Sequence, residues 1–232
     1  MNKIHVIIVA AGSGRRFGSP LPKQFCMLAG KPVLAHTLDN LRMAFGPEAE
    51  FTLVLHRDYF GLWEKLAAES VCARENRLVA GGASRAESVA NALQACSPDK
   101  GEPVMVHDGV RPFVTPGMVK DLVKALDNGA DYALPAVPLS DSIREQETDG
   151  TWHARERSRY RAVQTPQAFR GGILVEAYRL ANEKYGYDMF TDDASVVEKT
   201  LPGLQLRLTE GSPYNMKITN PLDLRIAEVL LD

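Results

Sequence analysis

Apolar positions along this chain fall into short runs separated by longer patterns of helical spacing. Ile4 to Val9 is a nearly continuous β-branched run ending at Ala10, Ala11 and Gly12, the pattern of a strand buried on both faces of a parallel sheet. Phe51 to Leu55 and Val104 to Val106 repeat it, and Asp131 to Val137 is a further strand interrupted by Pro135. Helical patterns lie between them. Val33, Leu34, Thr37, Leu38 and Leu41 form one stripe. Ser84 and Glu87 make a capping box ahead of Val89, Leu93 and Ala95. Thr115-Pro116 and Asn220-Pro221 each place an N-cap residue before proline at the first helical position, and Thr165-Pro166 reads the same way. Thr191, followed by Asp192 and Asp193, reads as another N-cap. The last helix, to about Leu231, is expected to turn Leu222, Ile226 and Val229 or Leu230 inward.

Strands alternating with helices of this length predict an α/β fold with a mostly parallel sheet, as a single domain over residues 1–232. Residues 138–165 break the alternation. They are polar, carry a turn signal at Asp149-Gly150, and alternate through Trp152, Ala154 and arginines, which predicts a protruding β-arm. Such an arm holds too few apolar side chains to stand alone, so a second subunit is expected to cover it.

Composition narrows the function classes. With 232 residues, 45% of them hydrophobic, the chain is long enough to bury a substantial core, which excludes disorder as its main state. Its 27 basic and 29 acidic residues leave a net charge of −2, so no bulk field grips a nucleic acid and any polyanion site must be local. No apolar run approaches the ~20 residues of a membrane span. The apolar N-terminal run passes into GSGRR without a cleavage site and is not expected to be a signal peptide. Cys26, Cys72 and Cys96 fit neither a disulfide framework nor a CxxC metal pair, so a cytoplasmic setting is expected. His5, His36, His56 and His153 lack metal-ligand spacing and read as structural.

The candidate chemistry begins at Ala10 to Gly18, A-A-G-S-G-R-R-F-G, directly after a buried strand. No Lys-Ser or Lys-Thr completes a Walker A motif, and Phe17 stands where a dinucleotide fingerprint requires its third glycine. What remains is a glycine loop whose N–H groups can approach phosphates, with Arg15, Arg16 and Lys23 as nearby cations. Attack on phosphorus calls for such cations, whereas solvated arginines on a strand-to-helix turn are the plainer account. Asp108 closes a strand and suits either an Mg2+ or hydroxyl contact or a turn cap. Arg155, Arg157, Arg159 and Arg161 alternate, so on a strand all four share one face, either a solvated edge or a phosphate-binding surface. Lys217, within an expected N-M-K-I-T strand, lies opposite Met216 and Ile218.

These segments carry a resemblance. The glycine loop with L-P-K-Q-F, then GGASRAESV, HDGVRP, QTPQAF, TDDAS and NMKIT, occur in the order found in the polyol-phosphate cytidylyltransferases, specifically the 2-C-methyl-D-erythritol 4-phosphate cytidylyltransferase family. The resemblance spans essentially the whole chain and implies a Rossmann-like nucleotide-diphospho-sugar transferase fold. It implies transfer of a cytidylyl group from CTP, with Mg2+, to the polyol phosphate. It also implies a homodimer built by the arm, with no nucleic acid or membrane partner. Ala10, Ala11, Gly12, Gly14, Arg16, Lys23, Gly82 and Ser88 would then bind the nucleotide. Asp108, Arg111, Thr165, Thr191 and Lys217 would contact the polyol phosphate, with Arg157 delivered from the other subunit. Arg16, Lys23, Arg157 and Lys217 would carry catalysis, and Asp108 is the candidate metal ligand.

Three positions in two motifs depart from the family pattern. Gly109 and Val110 replace the alanines of HDAARP, and Ala83 stands where an acidic residue often follows the two glycines. Ribitol 5-phosphate therefore stays open as an alternative substrate. An NAD-dependent oxidoreductase is disfavoured by Phe17 and by the lack of a Tyr-Lys or His-Asp arrangement. A catalytically inactive nucleotide-binding regulator is a third alternative.

Overall fold

The computed structural model describes residues 3–12, 17–18, 21–67 and 76–231. The first strand, β1 (His5–Val9), sends alternate side chains to opposite faces and has almost no exposed surface. Val6 and Ile8 enter one apolar cluster and Ile7 enters the other. Beside it, β4 (Glu50–Leu55) divides Leu53 and Val54 in the same way, and β6 (Pro103–Asp108) divides Met105 and Val106. Each fully buried Ile, Leu or Val contributes about 2 kcal/mol relative to exposure, which fixes the strands in this register.

Helices cover both faces. Leu34, Leu38 and Leu41 of α1 (Val33–Phe45), Trp63 of α2 (Phe60–Ala67) and Leu122 of α4 (Pro116–Asp127) pack on one side. Val89 and Leu93 of α3 (Arg85–Cys96), Leu174 of α5 (Gly171–Lys184) and Val197 of α6 (Asp193–Thr200) pack on the other. Among the described residues the main sheet has eight strands. Its path runs β10 (Arg161–Val163), β7 (Tyr132–Pro138), β11 (Gln167–Arg170), β6, β1, β4 and β5 (Arg77–Ala80), with β12 (Leu206–Glu210) paired to β7. β6, β1, β4 and β5 are parallel neighbours, so their carboxyl ends share one edge of the sheet. Two short strands, β2 (Met27–Leu28) and β3 (Lys31–Pro32), form a separate ribbon.

The arm is present as an antiparallel hairpin of β8 (Ile143–Gln146) and β9 (Trp152–Arg155), turned at Asp149-Gly150 and exposed over nearly all its length. Thr115 caps α4 as expected, its hydroxyl accepting from the Met118 N–H. Ser84 caps α3, although the Glu87 carboxylate reaches back to the Ala83 N–H rather than to that of Ser84.

Six local expectations need correction. The alternating arginines do not share a strand face, because β9 ends at Arg155 and Arg157–Arg159 form a 3-10 turn before β10. Pro166 opens no helix, since residues from Gln167 pair antiparallel with β6 and β7. The cap of α6 is Asp192, whose carboxylate accepts from the Ser195 N–H, and not Thr191. Residues 215–219 form an irregular segment rather than a strand, docked by the Ile218 N–H on the Val110 carbonyl. Ala95 is exposed and Cys96 takes the buried place. In α7 (Pro221–Leu231) only Ala227 is buried, while Leu222 and Val229 lie in the open. The small alanine lets the helix approach Leu28 and Val110, so contact is made at that point and not along the apolar stripe.

Candidate active site

A cavity of about 550 Å³ opens at the carboxyl edge of β1, β4, β5 and β6, where parallel sheets bind ligands. Ala10, Ala11 and Gly12 line it, as expected for the first loop. Their backbone is held by Gln24, buried in the 3-10 turn Lys23–Phe25, whose amide donates to Ala10 O (2.7 Å) and Gly12 O (3.0 Å). The same turn places Lys23 on the cavity wall. Gly14 and Arg16 lie outside the described residues. Across the cavity, the Gly82 N–H donates to Ser88 Oγ at 3.1 Å, and that hydroxyl donates to Ser84 O at 2.8 Å. Ser88 thereby shapes the glycine loop from beneath. Close approach explains two glycines here: a Cβ at Gly109 would lie 2.8 Å from the Cβ of Ala10, and one at Gly81 would overlap Ala11.

Asp108 is the electrostatic centre. Lys217 Nζ lies 2.9 Å from its carboxylate, and Arg85 Nε and Arg111 Nε lie 3.4 Å from it. Burial alone would raise the Asp108 pKa, but Arg85, Lys217 and Arg111 hold it well below the usual carboxylate range. Arg85 also pairs with Asp193 at 2.8 Å, and Tyr178 donates to the other Asp193 oxygen at 2.6 Å. Asp193 has no exposed surface. Three cations thus face two carboxylates, leaving one positive charge beside a cavity that Lys23 also lines. The arrangement is built to receive an anion.

A buried relay fixes the end of β6. The Asp108 N–H donates to Thr165 Oγ1, the Thr165 hydroxyl donates to His107 Nδ1, and His107 Nε2–H donates to the Arg111 carbonyl, each at about 3 Å. Burial pushes the His107 pKa down to about 4, so the ring is neutral at pH 7, as this relay requires. Asn215 donates to Thr165 O at 2.9 Å, and Arg111 donates to Asn215 O at 2.8 Å, tying the segment that carries Lys217 to the same point.

The cavity wall therefore gathers Ala10, Ala11, Gly12, Lys23, Gly82, Ser88, Asp108 and Lys217 from the expected set. Thr165 is buried with its hydroxyl engaged behind Asp108, and Arg111 buttresses Asp108 from the side. Thr191 is exposed just before α6 and does not line the cavity. Arg157 is exposed on the arm, bonded to Ser140 O, and does not line this chain's own cavity either. Asp108 does not fit the expected metal role, because three cations already occupy its carboxylate. No group of three or more His, Cys, Asp or Glu among the described residues can hold a metal ion. Sequence reasoning missed Arg85, Gln24 and His56 on the wall. A usable signal existed for Arg85: a cation in the first turn of a helix opposes the helix dipole and needs carboxylates nearby.

A nucleotide-sized pocket lined by cations, a glycine loop without a Walker lysine, and a sheet with antiparallel β11 between parallel strands fit the nucleotidyltransferase class. Comparison with known proteins narrows the class. Residues 4–232 match the family profile described as IspD, 2-C-methyl-D-erythritol 4-phosphate cytidylyltransferase, and the chain belongs to that family. It is 44% identical to the 2-C-methyl-D-erythritol 4-phosphate cytidylyltransferase of Porphyromonas gingivalis, covering 99% of this chain and 98% of that one. The crystal structure of the Thermus thermophilus enzyme of the same name superposes with a TM-score of 0.75 at 31% identity, covering 97% of each chain. That of 4-diphosphocytidyl-2C-methyl-D-erythritol synthase from Anaerococcus prevotii gives 0.83 at 25% identity, covering 99% of this chain and 96% of that one.

Proposed function

We propose that this chain transfers the cytidylyl group of CTP to 2-C-methyl-D-erythritol 4-phosphate, forming 4-diphosphocytidyl-2-C-methyl-D-erythritol and diphosphate. The observation that carries the chemistry is the uncompensated positive charge around Asp108, at the lip of a nucleotide-sized cavity. An oxygen of the polyol phosphate, anionic at neutral pH, attacks the α-phosphorus of CTP in line. A new P–O bond forms as the bond to the β-phosphate oxygen breaks, and no proton has to move. No protein nucleophile or strong base is needed, in keeping with a neutral, buried His107.

The side chains position phosphates and stabilise charge. Lys217 exchanges part of its bond to Asp108 for the attacking phosphate. Arg85 and Arg111 keep Asp108 in place during that exchange. Lys23, with Arg16, meets the charge that grows on the leaving diphosphate. Gly12, with Gly14, is assigned the role of offering backbone N–H groups to the nucleotide, while Gly82, whose N–H is held by Ser88, leaves room for it. Mg2+ would arrive with CTP as part of the substrate and would neutralise phosphate charge there, since the Asp108 carboxylate is already engaged by Arg85, Arg111 and Lys217. Thr191, beside the cap of α6, approaches the polyol phosphate when substrate binds.

Arg157 completes the site from the second subunit of a homodimer assembled through the arm, in a cytoplasmic enzyme organised as a single domain. No helix among the described residues is long and apolar enough to cross a membrane. Two measurements test the reading. Diphosphate release from CTP should require the polyol phosphate, and Lys217→Ala should abolish it while CTP binding persists. Mixing Lys217→Ala with Arg157→Ala subunits should restore about a quarter of wild-type activity, because half of the dimers hold one complete site. No recovery despite demonstrated subunit exchange would contradict a shared site.

A further inference from the structure

The cavity is polarised along the sheet edge. Strand order places Asp108, with Lys217 beside it, at the β6 end, the first glycine loop in the middle, and His56 and Gly82 at the β4 and β5 end. The second end is poor in side-chain donors. Ala11, Gly12, Gly82 and Ala83 offer only backbone there, and the Ser88 hydroxyl is committed to Gly82 and Ser84. His56 is the aromatic side chain on this part of the wall among the described residues.

Its orientation is set from two directions. The Asp58 N–H donates to His56 Nδ1 at 3.3 Å and an Asp58 carboxylate oxygen lies 3.5 Å from the same nitrogen, so Asp58 engages Nδ1; with Nδ1 accepting, the ring proton sits on Nε2. The ring edge meets Tyr59 with centroids 6.0 Å apart, and Tyr59 packs on Phe25 at 5.3 Å. Phe25 is buried in the 3-10 turn that carries Lys23. One aromatic cluster therefore contacts both the imidazole and the lysine turn.

We propose that His56 is a nucleotide-binding residue that donates a hydrogen bond from Nε2 to an acceptor of the CTP nucleoside. This rests on the reading above, in which phosphates occupy the cation-rich end and leave the base and ribose to the β4 and β5 end. Base and ribose both present oxygen acceptors, and the donor chemistry is the same for either.

The test compares wild type with His56→Phe, which keeps the ring packing against Tyr59, and His56→Gln, which keeps a donor. Steady-state constants for CTP and 2-C-methyl-D-erythritol 4-phosphate are measured, together with equilibrium binding of CTP and of 2′-deoxy-CTP. One neutral hydrogen bond predicts roughly a 3- to 10-fold rise in the CTP KM and Kd of His56→Phe, with kcat and the polyol phosphate KM unchanged. His56→Gln should recover most of the loss. If the acceptor is the ribose 2′-hydroxyl, 2′-deoxy-CTP removes the difference between wild type and His56→Phe; if it is on the base, the difference persists. Wild-type CTP affinity in His56→Phe, or an equal rise in both KM values, would overturn the proposal. An inactive wild type would count against the cytidylyl-transfer reading, and CTP binding would still judge His56.

Discussion

Replacing Asp193 by asparagine keeps the shape of a side chain with no exposed surface and removes its charge. Arg85 then loses its 2.8 Å partner and retains only the longer 3.4 Å contact to Asp108, while Tyr178 exchanges a carboxylate acceptor for an amide. Losing one member of a buried ion pair costs about 3–5 kcal/mol. The partly exposed Arg85 side chain finds some water, so the low end, about 3 kcal/mol, is expected. For a chain of this length that lowers Tm by roughly 6–12 °C. The assay is urea unfolding at pH 7 on wild type, Asp193→Asn, Arg85→Met and the double variant. The double variant removes both charges and leaves neither buried alone, so its loss should fall short of the sum of the singles by about 1–3 kcal/mol. A loss below about 0.5 kcal/mol for Asp193→Asn, or strict additivity, would refute the view that Asp193 anchors Arg85 beneath the site.

Lys23→Ala should lower kcat by about a hundredfold or more with unfolding unchanged, since one charge at a developing anion is worth about 3 kcal/mol; normal turnover in the folded variant would remove Lys23 from the chemistry. Gln24→Leu leaves the carbonyls of Ala10 and Gly12 without their donor and should cost about 1–3 kcal/mol in stability and raise the CTP KM, both read from one purified sample. His107 has a folded pKa of about 4, below its unfolded value near 6.5, so its contribution is complete above about pH 6.5 and is lost as pH falls towards 4. Unfolding free energies between pH 7 and 4.5 should therefore decline by about 2 kcal/mol from this group, and His107→Gln should flatten that slope.

The layered α/β architecture was legible because β1, β4 and β6 are written as continuous apolar runs, a pattern that needs covering helices on both faces. The glycine loop and Asp108 were legible because each sits at the end of a buried strand, whereas Lys23 and Lys217 were legible only through the short motifs that resemble the family's, since neither lies on a strand. Arg85 was not, because its partner Asp193 lies 108 residues away and only the folded helices α3 and α6 bring them together. Thr165-Pro166 misled because Thr before Pro is a local helix signal, while the ladder that β11 forms with β6 and β7 is a tertiary one that overrides it. The inward face of α7 was misread for a related reason. An apolar stripe reports what a helix can bury, and here one small residue, Ala227, sets where contact occurs.

The most direct test of the central claim is diphosphate release from CTP and Mg2+ with 2-C-methyl-D-erythritol 4-phosphate and ribitol 5-phosphate assayed side by side. The account predicts turnover with the methylerythritol substrate and a kcat/KM at least about a hundredfold lower with ribitol phosphate, the order of discrimination expected of a site that hydrogen-bonds its substrate's hydroxyls. Equal use of the two, or preference for ribitol phosphate, would contradict it and assign the pocket around Asp108, Gly109 and Lys217 to a different polyol.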